Sequence, residues 1–268
     1  MYREPQNVQG RWMFNFFKLF CEKMNIDEKI RKLPLRHSQD KQYDGNYIRK
    51  ENHDIDFKKQ SYKFPLFIDI IDDKENIIDY VENYYHIPFG VITYFTRENV
   101  DIFVLLKPLK EICNTKKTKF CSYCFKNVTW RNAIKRHKFF QMLTEEKKVD
   151  RLEDNFRFDI SLFDKTTKMY EPYRFNIAFE NDITPGYINE KIFNAFLSGC
   201  IPIFDGTRDI FKYFNKKAFI YAGDFENLKE LCEYVLKVEN DKELYESYIN
   251  EAPCNEEGLR KMFWWYFN

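Results

Sequence analysis

The stretch from Phe175 to Phe225 constrains the fold more than any other part of the chain. Phe175-Asn176-Ile177-Ala178-Phe179 is a short apolar run closed by Glu180-Asn181 and a Pro185-Gly186 turn, the pattern of a buried strand. Ile188, Ile192, Ala195 and Phe196 then recur at helical spacing, and Gly199 is a fitting C-terminal stop. Ile201-Pro202-Ile203-Phe204 reads as a second buried strand, ended by Asp205-Gly206. The pattern predicts a short helix over 208–214, a third strand over 218–221 and a helix over 225–237. Strands alternating with helices through short loops predict a parallel, doubly wound α/β unit. The ligand side of such a sheet lies beyond the carboxyl ends of its strands. Glu180, Asn181, Tyr187, Glu190 and Lys191 all fall on that edge.

Upstream, strands are predicted over 67–71 and 119–125, and helices over 77–85 and 133–147, the latter with Phe139, Phe140 and Leu143 on its buried side. The first 60 residues are charged and irregular. Within them Trp12–Cys21 suits a short amphipathic or buried helix, since Asn15 and Lys18 interrupt it well short of a membrane span. With 268 residues, 19% of them aromatic, the chain can fill a sizeable core, which excludes disorder as its main state.

A formal charge of +1 excludes a globally basic nucleic-acid binder. Residues 107–138 nevertheless hold ten Lys or Arg against the single acid Glu111, a compact patch that suits a small phosphorylated ligand better than a polyanion. The seven cysteines form no ladder, and Cys121-x-x-Cys124 has no second pair to complete a zinc site, so buried reduced thiols are expected. No Gly-rich phosphate loop, Walker motif or Ser-His-Asp arrangement is present. Asp54-Ile55-Asp56 is a DxD in the irregular region rather than after a strand, so no metal-bridged diphosphate is indicated.

Glu190 and Lys191 open the predicted helix. A helix start attracts anions, so a lysine there makes sense when an anion is present to meet it. The neighbouring carboxylate could take two ribose hydroxyls. Tyr187 could stack on a base or bond a phosphate, and Asn181 could donate to a phosphate oxygen. The plainer alternative is an ordinary Glu-Lys pair on a solvated face. Arg136, near the start of the 133–147 helix, could grip phosphate in a bidentate manner, with Arg131 as competitor.

The run 175–182 (FNIAFEND), then Tyr187-Ile188-Asn189-Glu190-Lys191-Ile192, then Ala195 to Gly199 and Ile201 to Gly206 resembles the signature of the α-1,3/4-fucosyltransferases of glycosyltransferase family 10. That signature runs F-x-F-E-N-S, a short loop, Y-V-T-E-K, then A-x-x-x-G-x-[IV]-P-[IV]-x-x-G. Phe219-Ile220 with Asp224-Phe225, Tyr245 to Pro253, Asn127 with Arg136-x-x-Phe139-Phe140, and Tyr62 to Leu66 resemble further pieces of it. The resemblance covers residues 54–253 and is dense over 119–225.

The resemblance implies a GT-B-like α/β fold, two Rossmann-like domains facing a cleft. Residues 1–112 would form a short or divergent acceptor-side domain and 113–268 the GDP-sugar domain, with the last helices packing back on the first. It implies metal-independent, inverting transfer of fucose from GDP-fucose to a glycan hydroxyl, an α-1,3 linkage to GlcNAc or glucose, with no cofactor. Arg136 and Lys191 would stabilise the leaving diphosphate, Glu190 the ribose, and Asn181, Tyr187 and Glu180 the rest of the donor. Asp182 stands where the family has serine, and Asn189 where it has threonine. The family's Glu general base in a G-E-x-x-P context has no counterpart, leaving Asp40, Asp44 and Glu51 as weak candidates. The alternatives are a catalytically silent member that binds GDP-sugar or glycan, and a member using another GDP-sugar. No partner nucleic acid is expected. Without an anchor in the sequence a cytoplasmic protein is expected, the alternative being a Golgi membrane protein whose anchor lies upstream.

Overall fold

A computed structural model describes residues 101–125, 128–129, 132–152, 162–183 and 186–263, together with the short pieces 35–36, 66–68, 85–88, 90–91 and 94. Strands β1 (Leu35–Arg36), β2 (Leu66–Ile68) and β3 (Tyr85–Ile87) form an antiparallel sheet in that order. The predicted strand over 67–71 is thus described at 67–68, and Tyr85, placed at the end of a helix by its spacing, begins a strand instead. The rest of the 77–85 prediction, the Trp12–Cys21 segment and Arg131 lie outside the described residues.

The second sheet is parallel throughout. It contains β4 (Lys119–Tyr123), β5 (Val149–Arg151), β6 (Tyr173–Ile177), β7 (Ile201–Phe204) and β8 (Ile220–Tyr221), in the order β5-β4-β6-β7-β8. The helices are α1 (Leu109–Ile112), α2 (Asn132–Glu146), α3 (Leu162–Tyr170), α4 (Glu190–Leu197), α5 (Leu228–Asn240), α6 (Lys242–Ile249) and α7 (Glu256–Met262). The chain runs from β4 outward to β5 through α2, then returns through α3 to β6 and onward through α4 to β7. Right-handed crossovers in opposite directions put helices on both faces. Accordingly α2 packs with α5, and α3 with α4. Covered on both sides, β7 is a continuous apolar run, while β6 buries Asn176 among its apolar residues, where the amide donates to Ser122 Oγ at 2.9 Å.

Local chemistry explains where elements stop. Helix α4 ends in a Schellman turn: Gly199 has φ 67°, its N–H donates to the Phe196 carbonyl, and the Cys200 N–H donates to the Ala195 carbonyl. Helix α5 begins three residues later than its spacing suggests, because Asn227 caps it there: its Oδ1 accepts the Glu230 N–H and its Nδ2 donates to Glu230 Oε1. Residues 208–212 form a 3-10 turn capped by Thr207, and 216–218 another, which shortens the predicted 218–221 strand to two residues. Strand β5 has no signature in the sequence, since Val149-Asp150-Arg151 carries no apolar run and needs little as a short edge.

One core cluster joins the sheet to residues before it. Val91, Tyr94, Ile102, Leu105 and Leu109 share it with Phe193, Ile203 and Phe263. The Leu109 N–H donates to the Glu251 carbonyl and the Cys254 N–H to that of Leu105. The expected division at 112/113 therefore falls inside a packed region. Residues 102–112 belong to the core of the parallel-sheet unit, and α6 and α7 close over them.

Candidate donor-binding site

The strand order reverses direction between β4 and β6, so the switch point of the sheet lies at the carboxyl ends of these two strands. Beyond β6 the backbone stays extended: the Ala178 N–H donates to the Ile203 carbonyl and the Glu180 N–H to that of Asp205, both at 2.8 Å. Phe179, Glu180 and Asn181 are therefore held rigidly at the sheet's rim, and both candidate cations are anchored to them.

Lys191 approaches from one side. Its Nζ lies 2.9 Å from Glu180 Oε2 and 3.3 Å from Glu190 Oε1. Glu180 is completely buried, and its other oxygen accepts the Asn189 N–H at 2.7 Å. Burial works against the charge of Lys191, but Glu180 and Glu190 outweigh it and hold the ammonium above the ordinary lysine value. Burial also raises the carboxyl of Glu180, against the pull of Lys191. Both Glu180 oxygens are thus engaged within the chain, one by Lys191 and one by the Asn189 N–H at the start of α4.

Arg136 approaches from the other side. It stands one turn into α2, on the stripe that also carries Phe139 and Leu143, and is 1% exposed. Its Nη1 donates to the Phe179 carbonyl at 3.0 Å and to Asn181 Oδ1 at 2.8 Å. The guanidinium lies 3.8 Å from the ring centre of Phe125, which itself meets Tyr123 edge to face. Burial lowers the Arg136 pKa, opposed by Tyr123, Glu180 and Tyr187, and an arginine stays charged under such a shift. Arg136 and Lys191 thus flank a single run of three residues and feel each other's charge.

The remaining candidates divide. The bond to Arg136 orients the Asn181 amide, leaving its Nδ2 as the group able to donate to a ligand. Glu190 is partly exposed, with its carboxylate in the longer of the two contacts to Lys191. Tyr187 is 1% exposed and packs within the core, where burial raises its hydroxyl to about 12. Asp182 accepts the adjacent Ile183 N–H at 2.9 Å. Asn189 precedes α4 without a side-chain cap. Asp40, Asp44 and Glu51 lie outside the described residues.

Sequence reasoning missed several supporting groups. Asp205 reads in the sequence only as the end of a strand. Asn132 carries no motif, Lys135 only its place in the basic patch of 107–138, and Tyr123 and Phe125 only their place in a predicted strand. The one available signal was a cation, Arg136, placed on the apolar face of its helix. Among the described residues no group of three His, Cys, Asp or Glu side chains converges as a metal site, the six described cysteines are unpaired with one another, and no helix is long and apolar enough to cross a membrane.

Comparison with known proteins adds a family. Residues 114–251, about half of the chain, match the family described as Glycosyltransferase family 10 (fucosyltransferase) C-term. The chain is 34% identical over 147 residues to a protein of Acanthamoeba polyphaga mimivirus named as a fucosyltransferase, covering 50% of this chain and 24% of that protein. It is 39% identical over 83 residues to an alpha-(1,3)-fucosyltransferase of Helicobacter pylori, covering 31% and 17%. A 4-galactosyl-N-acetylglucosaminide 3-alpha-L-fucosyltransferase of Mus musculus is 39% identical over 79 residues, covering 29% and 22%. The chain therefore spans about a quarter or less of the length of these relatives. A crystal structure of an alpha1,3-fucosyltransferase with GDP aligns at TM-score 0.46 and 23% identity, covering 66% of this chain and 50% of that one.

Proposed function

Because this chain belongs to glycosyltransferase family 10, we propose that it transfers fucose from GDP-fucose to a glycan hydroxyl, with inversion, without a metal, and in α-1,3 linkage to GlcNAc or glucose. The observation that carries this reading is the pair Arg136 and Lys191, both tied to the Phe179–Asn181 run at the switch point. The names of the relatives support the donor sugar and the 1,3 linkage.

Transfer breaks the bond between the sugar's anomeric carbon and the phosphate oxygen, and the electron pair leaves with the diphosphate. The carbon becomes oxocarbenium-like, and negative charge grows on the leaving group. Two preorganised cations in a dry site stabilise that charge without reorganising. Glu180 keeps Lys191 in place, while Glu190, in the longer contact, gives way to the diphosphate and turns to the ribose hydroxyls. The Asn181 Nδ2 donates to a phosphate oxygen. The acceptor hydroxyl attacks from the opposite face as a carboxylate general base removes its proton. That base and the acceptor contacts come from the acceptor-side domain in this reading, with the parallel-sheet unit carrying the donor.

The test is thermal unfolding with and without GDP in excess EDTA, followed by transfer from GDP-fucose to N-acetyllactosamine. A ligand present at a hundred times its Kd adds about 2.7 kcal/mol of stability. A rise in Tm that Lys191→Ala abolishes, together with fucosylated product, is expected. No shift at millimolar GDP refutes donor binding. A shift without transfer to any such acceptor makes the chain a silent member of the family.

A further inference from the structure

The geometry points to Asp205 as a positioning residue that sets where Arg136 stands relative to Lys191. This inference rests on the donor-binding reading above. Asp205 occupies a position that the family signature leaves unspecified, directly after β7, and is 4% exposed.

Its backbone and side chain bond two different elements. The carbonyl accepts the Glu180 N–H at 2.8 Å, which locks Asp205 to the strand end that holds Lys191. The carboxylate reaches the first turn of α2: Oδ2 accepts from Asn132 Nδ2 at 3.0 Å and lies 2.9 Å from Lys135 Nζ. Asn132 completes the bracket. Its Nδ2 also donates to the Glu180 carbonyl at 3.1 Å, and its N–H donates to the Asn181 carbonyl at 3.2 Å. The next residue must be small, because a Cβ on Gly206 would stand 2.6 Å from the Phe204 ring and 3.2 Å from Glu180 Cγ.

The consequence is mechanical. Arg136 is the residue after Lys135 and one turn beyond Asn132. A helix transmits the placement of its first turn rigidly to the next. Fixing that turn to the rim of β6 and β7 therefore fixes the guanidinium against Phe179 and Asn181. The same rim holds Glu180 and, through it, Lys191. Asp205 thus bridges the supports of both cations. A loss of register of 1 Å between two such groups is enough to impair charge stabilisation severely.

The experiment is a double-mutant cycle read by calorimetric titration of GDP, at a temperature well below each variant's Tm. Asp205→Ala is expected to weaken GDP binding roughly tenfold in the wild-type background. In an Arg136→Lys background the same change is expected to cost less than about twofold, because its effect passes through the guanidinium. Asp205→Asn keeps an acceptor for Asn132 and is expected to retain most of the affinity. If Asp205→Ala does not fold, Asn132→Ala replaces it in the cycle with the same expected non-additivity. Equal losses in both backgrounds, or a lowered Tm with unchanged affinity, overturn the inference and leave donor binding standing. A blank titration of the wild-type chain overturns donor binding itself, and the bracket with it.

Discussion

Lys191 shows how far a single residue's role depends on its partner. A helix-opening lysine on a solvated face would be worth a few tenths of a kcal/mol. Here the ammonium neutralises Glu180, a carboxylate with no exposure. Removing one member of a buried pair leaves an uncompensated charge and costs about 3–5 kcal/mol. Lys191→Ala is therefore expected to lower the unfolding free energy by about that amount, as well as abolishing the response to GDP; denaturant titration measures the first effect in the absence of ligand. Glu180→Gln, which removes the charge but keeps the amide oxygen for Asn189, is expected to cost less. A loss for Lys191→Ala below about 1 kcal/mol would show that Glu180 is satisfied without it.

At the scale of elements, the loops decide more than the strands. Asp209, on the turn after β7, accepts the Gly186 N–H at 2.7 Å and pairs with Lys212 at 2.7 Å, tying that turn to the loop preceding Tyr187. Partial burial alone would raise its carboxyl, but Lys212, the Gly186 N–H and Thr207 outweigh burial and hold it below the ordinary value. Its folded pKa is lower than its unfolded one, so its stabilisation is complete above about pH 4 and is lost as pH falls through the folded value. The acid limb of stability against pH is thus expected to be shallower in Asp209→Asn than in the wild type. Gly199 closes α4 at φ 67°, where a Cβ would also lie 3.1 Å from the Leu109 carbonyl oxygen and from Cys113 Cβ. Gly199→Ala should cost about 1–2 kcal/mol in thermal or chemical unfolding.

For the whole molecule, the segment around residue 90 backs the helix that carries Lys191. The Gly90 N–H donates to the Ile188 carbonyl at 3.1 Å, and Tyr94 meets Phe193 and Phe263 with ring centres 6.2 Å and 5.8 Å apart. A Cβ on Gly90 would lie 2.4 Å from the Phe193 ring and 2.5 Å from the Asn189 carbonyl oxygen. Gly90→Ala is therefore expected to cost about 1–3 kcal/mol through overpacking. It should also weaken GDP binding, although the residue lies far from Lys191 in sequence. Unfolding and titration of the same variant separate the two effects, and an unchanged affinity would show that α4 absorbs the strain locally.

The chain's own order of residues determined the parallel unit: apolar runs at 175–179 and 201–204, a helical period between them and Gly199 after it are local patterns, and local patterns survive without knowledge of the fold. The same local reading put Lys191 and Glu190 at a helix start and Arg136 near the start of another. It could not determine which way side chains face when partners are distant in sequence. Glu180 and Tyr187 lie beside the ligand edge in the sequence, and their burial is set by partners that the sequence does not name. Asp205 and Asn132 are 73 residues apart yet share a hydrogen bond. Only the packed structure brings such groups together, because the energy of a buried charge or amide is set by the neighbour that satisfies it, and that neighbour is chosen by how α2 and α4 dock on the sheet.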